Sequence, residues 1–366
     1  MATTSAPTGS ASTSSAPTSS VLSRWRGIAA VAVLGVALVV APLVSSPYIN
    51  YQLSSIAVFA VAILGLNIVM GYTGQVSLGQ SAFLGLGAYI AAYGILHGWP
   101  GPLTLLLCAV IPAVVGMLVA LAAARLRGLA LAMITLALPI VGVPLARRFA
   151  DFTGGSQGRV VSWLKAPESS GLANDQWRYY VVVAIAVVAF ALARNLVRGR
   201  IGRSFAIVKE NEAVALSMGV SPYRTKVLAF TIASLLGGVS GFMYLAIVQF
   251  TSPETLVFAT SINLVAAMVI GGSASIVGSA LGAAYYVLVP VLAGQVNSSR
   301  TALISGVVLL AVLFVLPAGL VSLPRRLARL RSSSRRTQHP QNHPPTPDEA
   351  TRPAPAPSEA TTDQHS

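Results

Sequence analysis

The sequence predicts an all-α, polytopic membrane protein: about ten transmembrane helices, several of them short or broken, and a coupling helix on the cytoplasmic side. Three observations lead there. Hydrophobic residues make up 54% of the chain and charged residues only 9%, where an ordinary soluble domain carries about 25% charged. Ten apolar stretches recur between residues 28 and 320, separated by connections that are often basic or glycine-rich. All ten acidic residues fall between or beyond those stretches. A net charge of +14 would point to nucleic acid in a soluble chain. Here the arginines flank apolar runs, where they orient spans in a bilayer, and no nucleic-acid partner is expected.

The elements follow in order. Residues 1–23 are mostly Ser, Thr, Ala and Pro without charge; such a segment buries too little apolar surface to offset chain entropy and is expected to be a disordered tail. Arg24 and Arg26 then precede the first run, 28–46. A cleaved signal peptide has a similar layout, but the leader before the arginines is long and the run reaches about spanning length, which favours an uncleaved first span. Further runs lie at 50–70, 82–97, 101–123, 128–146, 178–196, 227–249, 257–272, 277–296 and 300–320. Several fall short of the roughly 20 residues that cross a bilayer unaided, and these sit beside glycine-rich breaks. Cys108 reads as a small core residue in its run, and a single cysteine permits no internal disulfide. The transmembrane domain is therefore 24–331, with a cytoplasmic loop at 194–226. Residues 332–366, rich in proline, form a second disordered tail.

Lysine and arginine positions set the orientation. With the N-terminus in the cytoplasm, strict alternation puts all but six of the 24 basic residues on the cytoplasmic side. The exceptions are Arg147, Arg148, Arg159, Lys165, Arg178 and Arg300. Both termini are then cytoplasmic.

Two breaks interrupt the apolar runs. The first, GYTGQVSLGQSAFLGLGA at 71–88, holds five glycines and no charge. Each glycine within a helix costs roughly 1 kcal/mol relative to alanine, and unpaired backbone in lipid costs more, so irregular chain here must be buried in protein or face a water-filled cavity. The second is GGSASIVGSALG at 271–282. Helix ends exposed at such breaks offer partial charges to a carboxylate or an ammonium. Gly74, Gln75, Ser77, Gly79 and Gln80, with Gly271, Gly272 and Ser273, are candidates for a translocation pathway suited to a zwitterion or small polar solute. Close helix packing is the competing reading of most of these glycines. It applies less well to Gln75, Ser77 and Gln80.

No carboxylate lies within a span, which argues against a proton relay. An ion-coupled secondary transporter using backbone carbonyls and hydroxyls remains the alternative. Energy can also enter through a partner at the loop RNLVRGRIGRSFAIVKENEAVALSMGVSPYRTK, 194–226. Ser204–Met218 reads as one helix stopped by Gly219, after which Ser221 caps and Pro222 opens the next helix. Ile207, Ala215 and Met218 form an apolar stripe with no evident core to cover it. No metal-ligand cluster, nucleophile–base pair or Walker A sequence is present, so no catalytic residue, metal or cofactor is expected.

The segments GRSFAIVKENEAVALSMGVSPYRTKVLAF and GYTGQVSLGQSAFLGLGAYIAA resemble the permease subunits of branched-chain amino acid ABC transporters. So do LALAMITLALP followed by TGGSQG, GGSASIVGSALGAA, and LPAGLVSLPRR, in the same order over residues 28–326. The resemblance implies the translocation subunit of an ATP-driven importer in a bacterial cytoplasmic membrane, for branched-chain amino acids or related solutes. It implies two cytosolic ATPase subunits, a second homologous permease and an external solute-binding protein. It also implies that Glu210, Glu212, Ala213, Ala215 and Gly219 belong to the helix that docks on the ATPase. General ABC importers place two alanines after the glutamate, whereas here Glu212 is followed by Ala213, Val214 and Ala215.

Overall fold

The computed structural model describes residues 35–36, 38–123, 126, 129–167, 171–297, 300–315 and 319–322. The two tails at 1–23 and 332–366, most of the first expected span, Glu168 and the basic residues Arg24, Arg26, Arg125 and Arg127 lie outside the described residues.

Residues 38–44 are helical, and α1 follows at Pro47–Leu66, opened by Pro47 in its first turn. It continues as one π-helical turn, Asn67–Tyr72. The chain is then irregular from Thr73 to Gly79 before α2, Gln80–Leu96. Next come α3 (Gly101–Ala123) and α4 (Leu129–Arg148), then a single turn at Ala150–Thr153. The long α5 spans Asn174–Arg198. Two short helices follow, α6 (Arg200–Glu210) and α7 (Glu212–Ser217), and then α8, Pro222–Val248. The remaining helices are α9 (Phe258–Gly271), α10 (Ile276–Val296) and α11 (Thr301–Val315). Six helices among the described residues are long and apolar enough to cross a membrane, and three shorter apolar ones accompany them. Of the ten expected spans, nine thus correspond to helices of the structure and the first falls largely outside the described residues. One departure from an all-helical fold is a two-residue ribbon, in which β1 (Arg159–Val160) pairs antiparallel with β2 (Phe250–Thr251).

The core forms where α8 lies against α1, α2 and α3, with Phe83, Phe230, Phe242, Met243 and Leu245 almost fully buried. Without a large solvent-driven term between spans, close backbone approach supplies the attraction. Glycine makes this possible. A Cβ on Gly238 would overlap the Cys108 carbonyl oxygen, and one on Gly87 would overlap the Gly238 carbonyl. Cys108 itself is buried and directs its thiol to the Gly87 carbonyl at 3.3 Å, as expected of a core residue.

Contacts sort the connections onto two ends. At one end Asn50 donates to the Asp175 carboxylate, Tyr179 to the Leu38 carbonyl and Gln249 to the Trp163 carbonyl. At the other, Lys209 reaches the Gly71 carbonyl, Asn67 the Ser275 carbonyl, and Tyr223 the Leu121 carbonyl. The connections that alternation assigns to one side of the bilayer therefore meet at one end of the bundle. The α6–α7 loop marks that end.

Candidate translocation and coupling site

The irregular segment Thr73–Gly79 alternates inward and outward: Thr73, Gln75, Ser77 and Gly79 are buried, while Gly74 and Val76 are exposed. It runs from the end of the π turn back into the bundle. There Gln80, 1% exposed, donates to the carbonyls of Ala62 at 3.0 Å and Ala233 at 3.3 Å. A buried amide costs several kcal/mol unless bonded, and these contacts anchor the start of α2 between α1 and α8. Gln75 donates to Thr73 Oγ1 at 2.8 Å and to the Lys226 carbonyl at 3.4 Å. Gly74 adopts φ +70°, and Gly79 sits where a Cβ would be 2.8 Å from the Thr135 carbonyl.

A matching discontinuity lies between α8 and α9. Ser261, in the first turn of α9, bonds to the first turn of α2: its hydroxyl donates to Ser81 Oγ at 2.7 Å and accepts from the Ser81 amide at 2.9 Å. Two helices that start inside the bundle thus meet at their N-termini.

The two expected breaks touch directly. Asn67 Nδ2 donates to the Ser275 carbonyl at 2.8 Å and to Ser279 Oγ at 3.0 Å, while its Oδ1 accepts from the Ala274 amide at 2.8 Å. This three-bond clamp joins the π turn of α1 to the α9–α10 connection. Sequence reasoning missed it because the partners lie more than 200 positions apart and Asn67 sits inside an apolar run. Gly271 allows α9 and α10 to touch, since a Cβ there would overlap the Gly278 carbonyl. Gly272 is buried at φ +121° and Ser273 is exposed.

The loop of candidate coupling residues differs from the single helix expected over Ser204–Met218. Asn211 divides it, because its Oδ1 accepts from the amides of Ala213 at 2.8 Å and Val214 at 3.3 Å and so caps a new helix, α7. Gly219 ends α7 at φ +76°, a left-handed position that glycine takes without Cβ strain, and the Ser221 cap and Pro222 start of α8 are as expected. The expected Ile207–Ala215–Met218 stripe is split by the same break. Ala215 is buried and packs inward alongside Phe205 and Val208, whereas Met218 is 65% exposed and lies with exposed Val214 and Leu216. Glu210 and Ala213 are exposed. Glu212 turns toward the bundle and pairs with Lys226 at 2.7 Å, the lysine side chain being only 8% exposed. Lys209 donates to the Gly71 carbonyl at 2.7 Å. The loop is therefore tied to the first break twice, through Lys209 to Gly71 and through Lys226 to Gln75.

Two cavities complete the geometry. One of about 620 Å³, between α2, α4 and the Ala150–Thr153 turn, is mostly apolar; Thr153 and Tyr89 are on its wall, and the buried Tyr89 hydroxyl has no partner among the described residues. The other, about 780 Å³, lies between α1, α8, α10 and α11 toward the end away from the α6–α7 loop, and is rich in tyrosine. No group of three or more His, Cys, Asp or Glu residues that could hold a metal occurs among the described residues.

The family model for the branched-chain amino acid transport system permease component matches residues 48–316. The high-affinity branched-chain amino acid transport system permease protein LivM of Salmonella typhimurium is 29% identical over 299 residues, covering 74% of this chain and 69% of that protein. LivM of Escherichia coli K12 aligns to the same extent. The autoinducer 2 import system permease protein LsrC of an Enterobacter species is 25% identical over 269 residues, covering 70% of this chain and 74% of its own. Among solved structures, PsaBC from Streptococcus pneumoniae in complex with Fab aligns at a TM-score of 0.41 and 12% identity, covering 79% of this chain and 99% of that one.

Proposed function

Since the chain belongs to the branched-chain amino acid permease family, we propose that it is the translocation subunit of an ATP-driven importer for branched-chain amino acids or closely related small polar solutes. The observation that carries the reading is the α6–α7 loop. It presents Val214, Leu216 and Met218 outward on and just after the short helix α7, a cluster left exposed by the described residues. Apolar side chains grouped on a charged loop form the kind of patch a partner protein buries. We assign that partner as a cytosolic ATPase, one of a pair, because the sequence contains no Gly-Lys dipeptide and so no Walker A loop of its own. The loop end is then cytoplasmic, in line with the basic-residue asymmetry and with both termini on that side. A second permease chain and an external solute-binding protein complete the assembly.

Coupling follows from the ties already described. A partner that moves α7 pulls on Glu212 and hence on Lys226, while movement of α6 pulls Lys209 and the Gly71 carbonyl. Both lead to the chain between Gly71 and Gln80. We assign Gly74, Gln75, Ser77, Gly79 and Gln80, together with Gly271, Gly272 and Ser273, to an inner gate; the support for this reading is the set of Asn67 hydrogen bonds to the α9–α10 connection, which would hold such a gate closed. The hydroxyls and amides that bond within the gate when closed become available to a polar solute when it opens.

Co-expression with candidate ATPase subunits, followed by purification through a tag on this chain, tests the reading. The expected result is a stable complex that hydrolyses ATP. Purification of this chain free of ATPase, under conditions where both are made and folded, would contradict it.

A further inference from the structure

We infer that the tyrosine-rich cavity is a solute site within this subunit, one that receives a zwitterionic aliphatic amino acid from the side opposite the α6–α7 loop. The inference rests on the proposed function and names the place where the solute is held. At about 780 Å³ the cavity falls within the roughly 300–1,000 Å³ typical of small-molecule sites. Its lining joins Tyr51, Tyr244, Tyr285 and Tyr286 to the amides of Gln52 and Asn263, and contains no charged side chain.

Three features point to a ligand. Asn263 lies on α9, a mostly apolar 14-residue helix, and its exposed amide makes no hydrogen bond to the described residues. In a bilayer such a group needs a partner from water, a ligand or a neighbouring chain, because an amide left unbonded in hydrocarbon is strongly disfavoured; its place on the cavity wall favours a ligand. The Ser305 hydroxyl, also on the wall, is buried without a partner among the described residues. Gln52, also on the wall, makes no side-chain hydrogen bond to the described residues. These groups sit against an apolar wall that includes Val58, Phe59 and Ile247.

The chemistry selects among solutes. A lone cation or anion entering an uncharged cavity would shed its hydration without gaining a counter-charge. A zwitterion brings both charges, and the cavity offers each a suitable group. Tyrosine ring faces attract an ammonium, amide and hydroxyl donors bond a carboxylate, and the apolar wall takes the aliphatic side chain.

The α1 face that lines the cavity continues toward the Asn67 clamp. Gln52, Ser55, Phe59, Ile63 and Asn67 recur at three- and four-residue spacing, so they lie along one face of α1 and its π turn. Phe59 and Tyr286 form the floor, with ring centroids 4.5 Å apart. Beyond them Ile63, Leu66, Leu264 and Met268 pack in a buried apolar cluster. The Asn67 clamp closes the far end.

The test uses the complete transporter in proteoliposomes and a membrane-impermeant maleimide added from the side opposite the ATPase. Cys108 is buried, so the unmodified chain provides an unlabelled background. Asn263→Cys and, separately, Gln52→Cys should label, and saturating L-leucine should slow labelling at least about fivefold, as expected of a site that the solute occupies. Asn263→Leu should reduce leucine uptake about tenfold at saturating binding protein, the effect of losing a hydrogen bond to a charged group. If Asn263→Cys does not assemble, Gln52→Cys carries the same test. Cysteines that fail to label, or that label at the same rate with and without leucine, would overturn the inference while unmodified transporter that still imports leucine leaves the function standing. An unmodified transporter that imports none of leucine, isoleucine and valine would overturn both.

Discussion

Replacing Glu212 by glutamine tests the link between the loop and the bundle. The substitution keeps size and hydrogen-bonding capacity but removes the charge that faces Lys226 at 2.7 Å. The lysine side chain is 8% exposed and the glutamate 29%, which places the pair between two limits. A fully exposed pair contributes about 0–1 kcal/mol; breaking a fully buried one by removing a single partner costs about 3–5 kcal/mol. An intermediate loss of about 1–3 kcal/mol is expected, similar to that of a charge-assisted hydrogen bond. Thermal unfolding of the assembled transporter in nanodiscs should shift down, and solute-stimulated ATP hydrolysis should fall while membrane insertion is unchanged. In Glu212→Gln/Lys226→Met no unpaired charge remains, so the stability loss should be smaller than the sum of the two single losses, whereas stimulation should stay low. Additive losses in that double-mutant cycle, or normal stimulated hydrolysis in Glu212→Gln, would refute the reasoning.

Three further outcomes are expected. Leu216→Asp/Met218→Asp should insert in the membrane normally, because both residues are exposed, yet retain less than about a tenth of the ATPase binding measured by co-purification. Gly238→Val should lower the yield of folded complex and its melting temperature, since a Cβ there meets the Cys108 carbonyl and overpacking costs about 1–3 kcal/mol; a wild-type melting curve would show that α8 and α3 are not held by this approach. Asn67→Leu removes all three bonds of the clamp, and proteoliposomes carrying it should leak preloaded leucine without ATP; leucine retention equal to that of the unmodified transporter would remove Asn67 from the gate.

Much of this architecture was legible in the residues. The apolar runs anticipated nine described helices, because bilayer thickness acts on local sequence. Glycine clusters marked the two breaks for the same local reason. The split at Asn211 was within reach, since asparagine ahead of Glu212 is a favourable cap, but the helical pattern on both sides concealed it. What sequence did not show was the set of partners. Gln80 and Gln75 appear as lone polar residues in a row, and only the fold shows that they bond Ala62, Ala233 and Lys226. Glu212 reads as an exposed docking charge until Lys226 is placed beside it. The tyrosine-rich cavity is assembled from helices separated by more than 200 residues and has no local signature at all.

The central claim, that this chain moves a branched-chain amino acid at the expense of ATP hydrolysed by another subunit, is tested most directly by uptake of labelled leucine into proteoliposomes. The chain is reconstituted with its permease partner, ATPase pair and binding protein, and compared with the chain alone. The account predicts concentrative uptake only in the complete assembly with ATP, and none by the chain alone under a sodium or proton gradient. Leucine accumulation by the chain alone, driven by either gradient, would contradict it and establish an ion-coupled transporter instead.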